Sequence, residues 1–208
     1  MLERHRQVWI LADDIYEHIV FDGRRFVTFA EAVPQLADRT LIVNGVSKTY
    51  AMTGWRLGYA AGPAILIRAM ARMQAQCSLN PSSVSQAAAI AALNGPQDIV
   101  AERCAEFEAR RDVVVPLIDA IPGLASTQPH GAFYVYACCA EWLGRRTPEG
   151  QRLTSDEDVT AYLLESGVAL PNGAGYGLSP YFRLSFATSL ANLEEACRRI
   201  DAAARKLE

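Results

Sequence analysis

The chain has 208 residues, half of them hydrophobic and about a fifth charged, with a formal net charge of −3. That is enough apolar material for the core of one large domain or two small ones. The charge balance gives no electrostatic case for nucleic acid or an anionic membrane surface, and no apolar run is long enough to span a bilayer.

The opening residues, MLERHRQVWI, carry charges without the apolar core of a signal peptide. Val8 to Ala12 and Leu41 to Val43 are short continuous apolar runs, the pattern of strands buried on both faces of a parallel sheet. Asp13-Asp14 stops the first run and Asn44-Gly45 the second. Arg56 to Gly62 reads as a third strand, closed by Gly62-Pro63. From Ala64 to Gln76 the spacing is helical, with Ile65, Ile67, Met70 and Met73 as the expected buried positions. Asn80-Pro81-Ser82-Ser83 breaks that helix, and the alanine-rich run Gln86 to Leu93 forms the next. Gly95-Pro96 restarts the chain into a long charged helix from Gln97 to Ile121, which Pro122-Gly123 ends. Beyond it, Gly131 to Tyr136 and Tyr181 to Ala187 are strand-like. Between them Ser155-Asp156-Glu157-Asp158 has the form of a capping box opening a helix to Ser166, and Asn192 to Leu207 is a terminal helix. The pattern predicts an α/β piece over residues 1–112 and a smaller α+β domain over residues 113–208.

Five cysteines (Cys77, Cys104, Cys138, Cys139, Cys197) make an odd number without framework spacing, which favours reduced thiols in a cytoplasm. His5, His18 and His130 form no metal-ligand pattern with them.

The chemistry concentrates in VSKTYAMTGWRLGYAAG, Val46 to Gly62. Lys48 and Lys206 are the only lysines among 20 basic side chains. Arginine stays charged, whereas a desolvated lysine amine can lose its proton and act as a nucleophile. Arg56 follows eight residues later, past Gly54. An amine that forms a Schiff base beside an arginine suited to phosphate is what a pyridoxal phosphate site requires, although a loop lysine and a surface arginine would read the same way. In ILADDIYEHIV, Asp13 stands at the carboxyl end of a buried parallel strand, where α/β folds place ligands. It could hold a pyridinium nitrogen protonated, with Tyr16 bonding the ring oxygen; the alternatives are a loop or cap aspartate and a core tyrosine. In YFRLSFA, Arg183 interrupts an apolar run and must be either paired or exposed at an edge. Its partner is a substrate carboxylate, gripped at two points, or a structural acid. Gly131 allows close approach of a ligand to the backbone, or is simply a turn glycine.

Together these residues resemble the class I and II aminotransferases, the fold-type-I pyridoxal-phosphate enzymes, on the aspartate/aromatic aminotransferase side. The signature is Gly45-Val46-Ser47-Lys48 followed by Thr53-Gly54-Trp55-Arg56-Leu57-Gly58. Asp13-Asp14-Ile15-Tyr16-Glu17-His18 is similar to the family's Asp-Glu-Ile-Tyr-Glu-His element, with Asp14 where Glu is commoner. Asn80-Pro81-Ser82-Ser83 and Phe182-Arg183-Leu184-Ser185 match in order and at suitable separations. The resemblance implies the carboxyl-terminal half of such an enzyme: part of the large domain, with a mostly parallel sheet, and the small α+β domain. It implies that Lys48 forms the Schiff base and shuttles the proton, that Asp13 pairs with the pyridine nitrogen and Tyr16 with the ring oxygen, and that Ser47 and Arg56 bind phosphate. Arg183 would hold the substrate carboxylate. Amino and 2-oxo acids are the implied substrates, and a cytoplasmic homodimer without nucleic acid or membrane partners the implied assembly.

Members of that family are about twice this long. The missing half is expected to carry the glycine-rich phosphate loop, the aromatic stacked on the ring and most residues that read the substrate side chain. The chain is therefore expected to be a fragment or one of two assembling polypeptides, and a poor aminotransferase alone. A β-lyase or decarboxylase on the same scaffold, or a ligand-sensing domain derived from it, are the alternative readings.

Overall fold

The computed structural model describes all 208 residues, which divide into two units, Met1–Cys104 and Ala105–Glu208. In the first, β1 (Ile10–Asp13), β2 (Thr40–Gly45) and β3 (Gly58–Ala61) form one sheet in the order β1-β2-β3. β1 and β2 are parallel, with Asp13 opposite Val43. β2 and β3 are antiparallel, with Gly45 opposite Gly58. The reversal follows from the connection. Between Gly45 and Gly58 the chain makes turns and a short 3-10 segment, Thr53–Trp55, but no helix that could carry a parallel crossover.

β1 departs from the expectation of burial on both faces. Leu11 is 65% exposed and the preceding Trp9 52%, while Ile10 and Ala12 are half-buried. β1 is the outer strand of this sheet, and one of its faces is open. The helices show the same feature. α1 (Phe29–Ala32) is a single turn. α2 (Ala64–Cys77) forms where the periodicity places it, yet Ile65, Met70 and Met73 are exposed and no residue of the helix is buried. The apolar stripe is real, but within this unit nothing covers it. α3 (Ser83–Asn94) starts at Ser82, whose hydroxyl accepts from the Ser85 N–H. The buried apolar side chains of the unit are Ile19, Phe21, Leu36, Leu41, Val46 and Ala89.

The division between units falls inside α4 (Asp98–Asp119). In the second unit β4 (Ala125–Ser126), β5 (Tyr134–Cys138) and β6 (Tyr181–Ser185) make an antiparallel sheet in the order β4-β5-β6. Burial alternates along it. Val135, Ala137, Phe182 and Leu184 point into the core, and Tyr134, Tyr136 and Arg183 lie half-buried on the opposite face. β5 begins three residues later than Gly131, because the chain first turns through Ala132 with φ of 58°. The capping box is present: Ser155 and Asp158 exchange hydrogen bonds at the start of α5 (Asp156–Glu165). α6 (Leu190–Ala204) starts two residues before the predicted Asn192, from the cap Ser189. Large side chains close the core with their polar atoms satisfied. The Trp142 indole N–H donates to the Pro122 carbonyl at 2.8 Å, and the Tyr162 hydroxyl to that of Ala203 at 3.0 Å.

Candidate active site

In the first unit the candidate residues gather where β1 and β2 end. The Asp14 N–H donates to the Val43 carbonyl at 3.0 Å, extending the parallel pairing by one residue. Successive side chains on a strand leave opposite faces, and this separates the two aspartates. Asp14 is buried, and its carboxylate accepts from the Thr28 hydroxyl at 2.5 Å. Asp13 is exposed, with one oxygen accepting from the Ile15 N–H at 3.2 Å. Asp14 therefore serves the fold, and Asp13 faces outward from the strand end. The two strand ends are tied by Asn44, whose side-chain amide donates to Glu17 at 2.6 Å.

Gly45 ends β2 in a crowded position: a Cβ would lie 3.0 Å from the Leu57 carbonyl oxygen and 3.2 Å from the Gly58 Cα, so a side chain would press the facing strand outward. Val46 is fully buried and anchors the turn that follows, in which the Tyr50 N–H donates to the Val46 carbonyl at 3.3 Å and the Ala51 N–H to that of Lys48 at 3.3 Å. This turn carries Ser47 and Lys48, both half-buried. The Lys48 ammonium lies 5.9 Å from the centroid of the Tyr16 ring, within cation–π range. Lys48 and Tyr16 are thus brought together, and Asp13 shares their end of the sheet.

Arg56 sits on the loop into β3 with left-handed backbone (φ 52°), exposed, its guanidinium donating to the Thr53 carbonyl at 2.9 Å. Ala51, on the same loop, has φ of 53°. Two non-glycine residues held left-handed store about 1–3 kcal/mol each, strain that a functional loop tolerates when its surroundings fix it.

Arg183 and Gly131 belong to the second unit. Arg183 lies in β6 opposite Tyr136. Its guanidinium carbon is 4.3 Å from the Tyr134 ring centroid and 4.2 Å from that of Tyr176. The unit's ion pairs join Arg110 to Glu106, Arg111 to Glu108 and Asp112, Arg198 and Arg199 to Glu195, and Arg205 to Asp201, leaving Arg183 out. No structural acid pairs with Arg183 among these bridges, and β6, which carries it, is an end strand of its sheet. The arginine is half-buried, with its guanidinium over two aromatic rings. A cavity of about 200 Å³ beside it is lined by Arg183, Ser185, Thr188 and Asn192, among others. Gly131 is half-buried ahead of the turn, where the left-handed residue is Ala132 and not the glycine. Tyr134 and Tyr176 escape a reading of the sequence. Tyr134 looks like one more aromatic in a strand, and Tyr176 lies in Gly-Ala-Gly-Tyr-Gly, which carries only a turn signal.

The donor set fits pyridoxal phosphate. Lys48 offers a primary amine for an aldehyde, Asp13 a carboxylate for a ring nitrogen, Tyr16 a phenol for a ring oxygen, and Ser47 with Arg56 a hydroxyl and a guanidinium for a phosphate.

Known proteins match this chain throughout. The family model "Aminotransferase class I and II" matches residues 1–200. Over all 208 residues the chain is 57% identical to an aspartate aminotransferase of Rhizobium meliloti (strain 1021), of which it covers 51%. It is 51% identical over 203 residues to an aspartate/prephenate aminotransferase of Cereibacter sphaeroides (strain ATCC 17029 / ATH 2.4.9), covering 97% of this chain and 51% of that protein. Among solved structures, the aspartate aminotransferase from Rhizobium meliloti superposes with a TM-score of 0.95 at 57% identity, over 100% of this chain and 52% of that one. The chain shares their fold and spans about half the length of the curated relatives it matches.

Proposed function

We propose, from the premise that this chain belongs to the class I and II aminotransferase family, that it carries the cofactor-anchoring residues of a pyridoxal-phosphate-dependent aminotransferase. The reaction is transfer of an amino group between an amino acid of aspartate or aromatic type and a 2-oxo acid. The observation that supports this reading best is the half-buried Lys48 amine over the Tyr16 ring, at the strand ends that also present Asp13.

When bound, pyridoxal phosphate supplies an aldehyde that captures amines and a ring that accepts the electron pair left at the substrate's α-carbon. Lys48 would hold the cofactor through its Nζ, and the same amine, once free, would take and return the substrate's α-proton. Asp13 would hold the ring nitrogen in its protonated form, and the Tyr16 hydroxyl would donate to the ring oxygen. The Ser47 hydroxyl and the Arg56 guanidinium, which donates to the Thr53 carbonyl in this structure, would bind the phosphate. Arg183 grips the substrate carboxylate, its fork matching the two oxygens. The proposal extends to a homodimeric cytoplasmic enzyme. Because the relatives are about twice as long, the activity belongs to the whole protein of this kind, and these 208 residues alone turn over poorly or not at all.

The test is chemical trapping. The protein is mixed with pyridoxal phosphate, reduced with borohydride and mapped by peptide mass. The pyridoxyl group is expected on Lys48 and absent from Lys48→Arg; a group found only on Lys206 or the amino terminus overturns the assignment. In parallel, incubation with L-aspartate and 2-oxoglutarate is expected to give little glutamate. Release of ammonia, pyruvate and sulfide from L-cysteine, whose thiol can leave from the β-carbon, would instead point to lyase chemistry.

A further inference from the structure

We propose that Tyr134 and Tyr176 form an aromatic clamp that fixes the Arg183 guanidinium for two-point capture of a carboxylate, with Tyr176 as a positioning residue supplied by a tethered loop. The proposal rests on the reading of Arg183 as the carboxylate-binding group and adds what holds it there.

An arginine side chain loses several freely rotating bonds when it binds an anion, and that loss weakens the complex unless the fork is already fixed. Proteins usually fix it with an acid, which also consumes the donors. Arg183 is held differently. Its guanidinium carbon lies 4.3 Å and 4.2 Å from the Tyr134 and Tyr176 ring centroids, and the unit's ion pairs do not include it. Contact with aromatic rings consumes none of the guanidinium's N–H donors, so they stay available to a ligand. Tyr134 comes from β5, and Tyr136, directly opposite Arg183 on that strand, meets Tyr176 edge-on at 6.3 Å.

Tyr176 is half exposed, on a short 3-10 turn, Ala174–Tyr176, that could not hold a ring in place unaided. Several bonds tie that turn down. The buried Asp156 accepts from the Ala174 N–H at 2.9 Å, Asn172 from the Gly175 N–H at 3.0 Å, and the Gly173 carbonyl from the Tyr176 N–H at 2.8 Å. Gly173 itself donates to the Tyr181 carbonyl at 2.6 Å, and a Cβ there would lie 1.9 Å from the Leu178 carbonyl oxygen. The chain Asp156, Ala174, Tyr176, Arg183 thus runs from the first turn of α5 to the guanidinium.

The test compares Tyr176→Leu, Tyr176→Phe and Arg183→Lys in the full chain, with succinate as the probe. Two quantities are read by NMR: the position of the Arg183 Nε–Hε resonance, and the succinate affinity from shifts of the 134 and 185 amides. The expected result is that Tyr176→Leu moves the Arg183 resonance toward that of a free arginine and weakens succinate binding roughly threefold to tenfold. Tyr176→Phe, which keeps the ring, should match the parent in both, and Arg183→Lys should abolish binding. A Tyr176→Leu variant that binds like the parent, while Arg183→Lys does not, overturns the clamp and leaves the carboxylate reading intact. An Arg183→Lys variant that binds like the parent, or a parent that does not bind, overturns the carboxylate reading and the clamp with it. Thermal melts of all three variants guard against unfolding, and a Tyr176→Leu protein that binds weakly only because it has unfolded overturns the positioning role.

Discussion

A primary amine and a guanidinium carry the same charge at neutral pH and differ in what they can do next. One can become a nucleophile, and the other can only bind. This chain uses arginine almost everywhere and puts lysine at position 48, in a turn pinned by the buried Val46 and beside the Tyr16 ring. That contrast made Lys48 legible in the sequence, and Asp13 was legible from its place after an apolar run. What the sequence did not show was the part played by the adjacent Asp14. Strand alternation and the Thr28 hydroxyl decide that part. The cysteines give a further residue-level prediction. Burial pushes the Cys139 thiol up to about 12, with the Asp156 carboxylate adding to it, and burial pushes Cys197 up to about 11. Both are therefore neutral at pH 8, and a disulfide reagent is expected to modify the exposed Cys77 quickly and these two only after unfolding. Labelling of Cys139 at the rate of Cys77 would show that the core is not closed. Since both values are raised, their stabilisation is complete below the ordinary thiol value of about 8.5 and is lost as pH rises through 11 to 12.

Whole elements follow their local signals more faithfully than their packing does. The Ser155–Asp158 box opens α5 as the sequence predicts, because both halves of the motif lie within four residues and need no distant partner. Ser155→Ala is expected to lower stability by about 1 kcal/mol in urea melts without changing the slope. Asp158 also accepts from the Thr154 hydroxyl at 2.6 Å, and that bond, with those from backbone N–H groups, holds its carboxyl below the usual range. α2 shows the opposite case. Its period is right, but burial of Ile65, Met70 and Met73 is not found, since a stripe says where a helix can pack and not what is there to receive it. β5 is a third case: Gly131 suggested a strand start, and the left-handed turn at Ala132 delayed it to Tyr134. Arg183 was visible as an anomaly in β6, whereas its aromatic partners come from another strand and a loop, and only the folded chain brings them together.

At the scale of the molecule, the two units bury apolar side chains very unequally. The first keeps Trp9, Leu11, Ile65 and Met73 exposed, while the second encloses Trp142, Phe182, Phe186 and Ile200 completely. Local opening costs least where few apolar contacts are lost, so amides of β1 are expected to exchange with solvent well before those of β5 and β6, as read by mass spectrometry after brief labelling. Equal protection in the two sheets would contradict this picture. Trp9, Leu11 and Ile65 also leave unit 1 with adhesive apolar surface, so clustering of this chain at high concentration is expected to begin there and not at the closed core of unit 2.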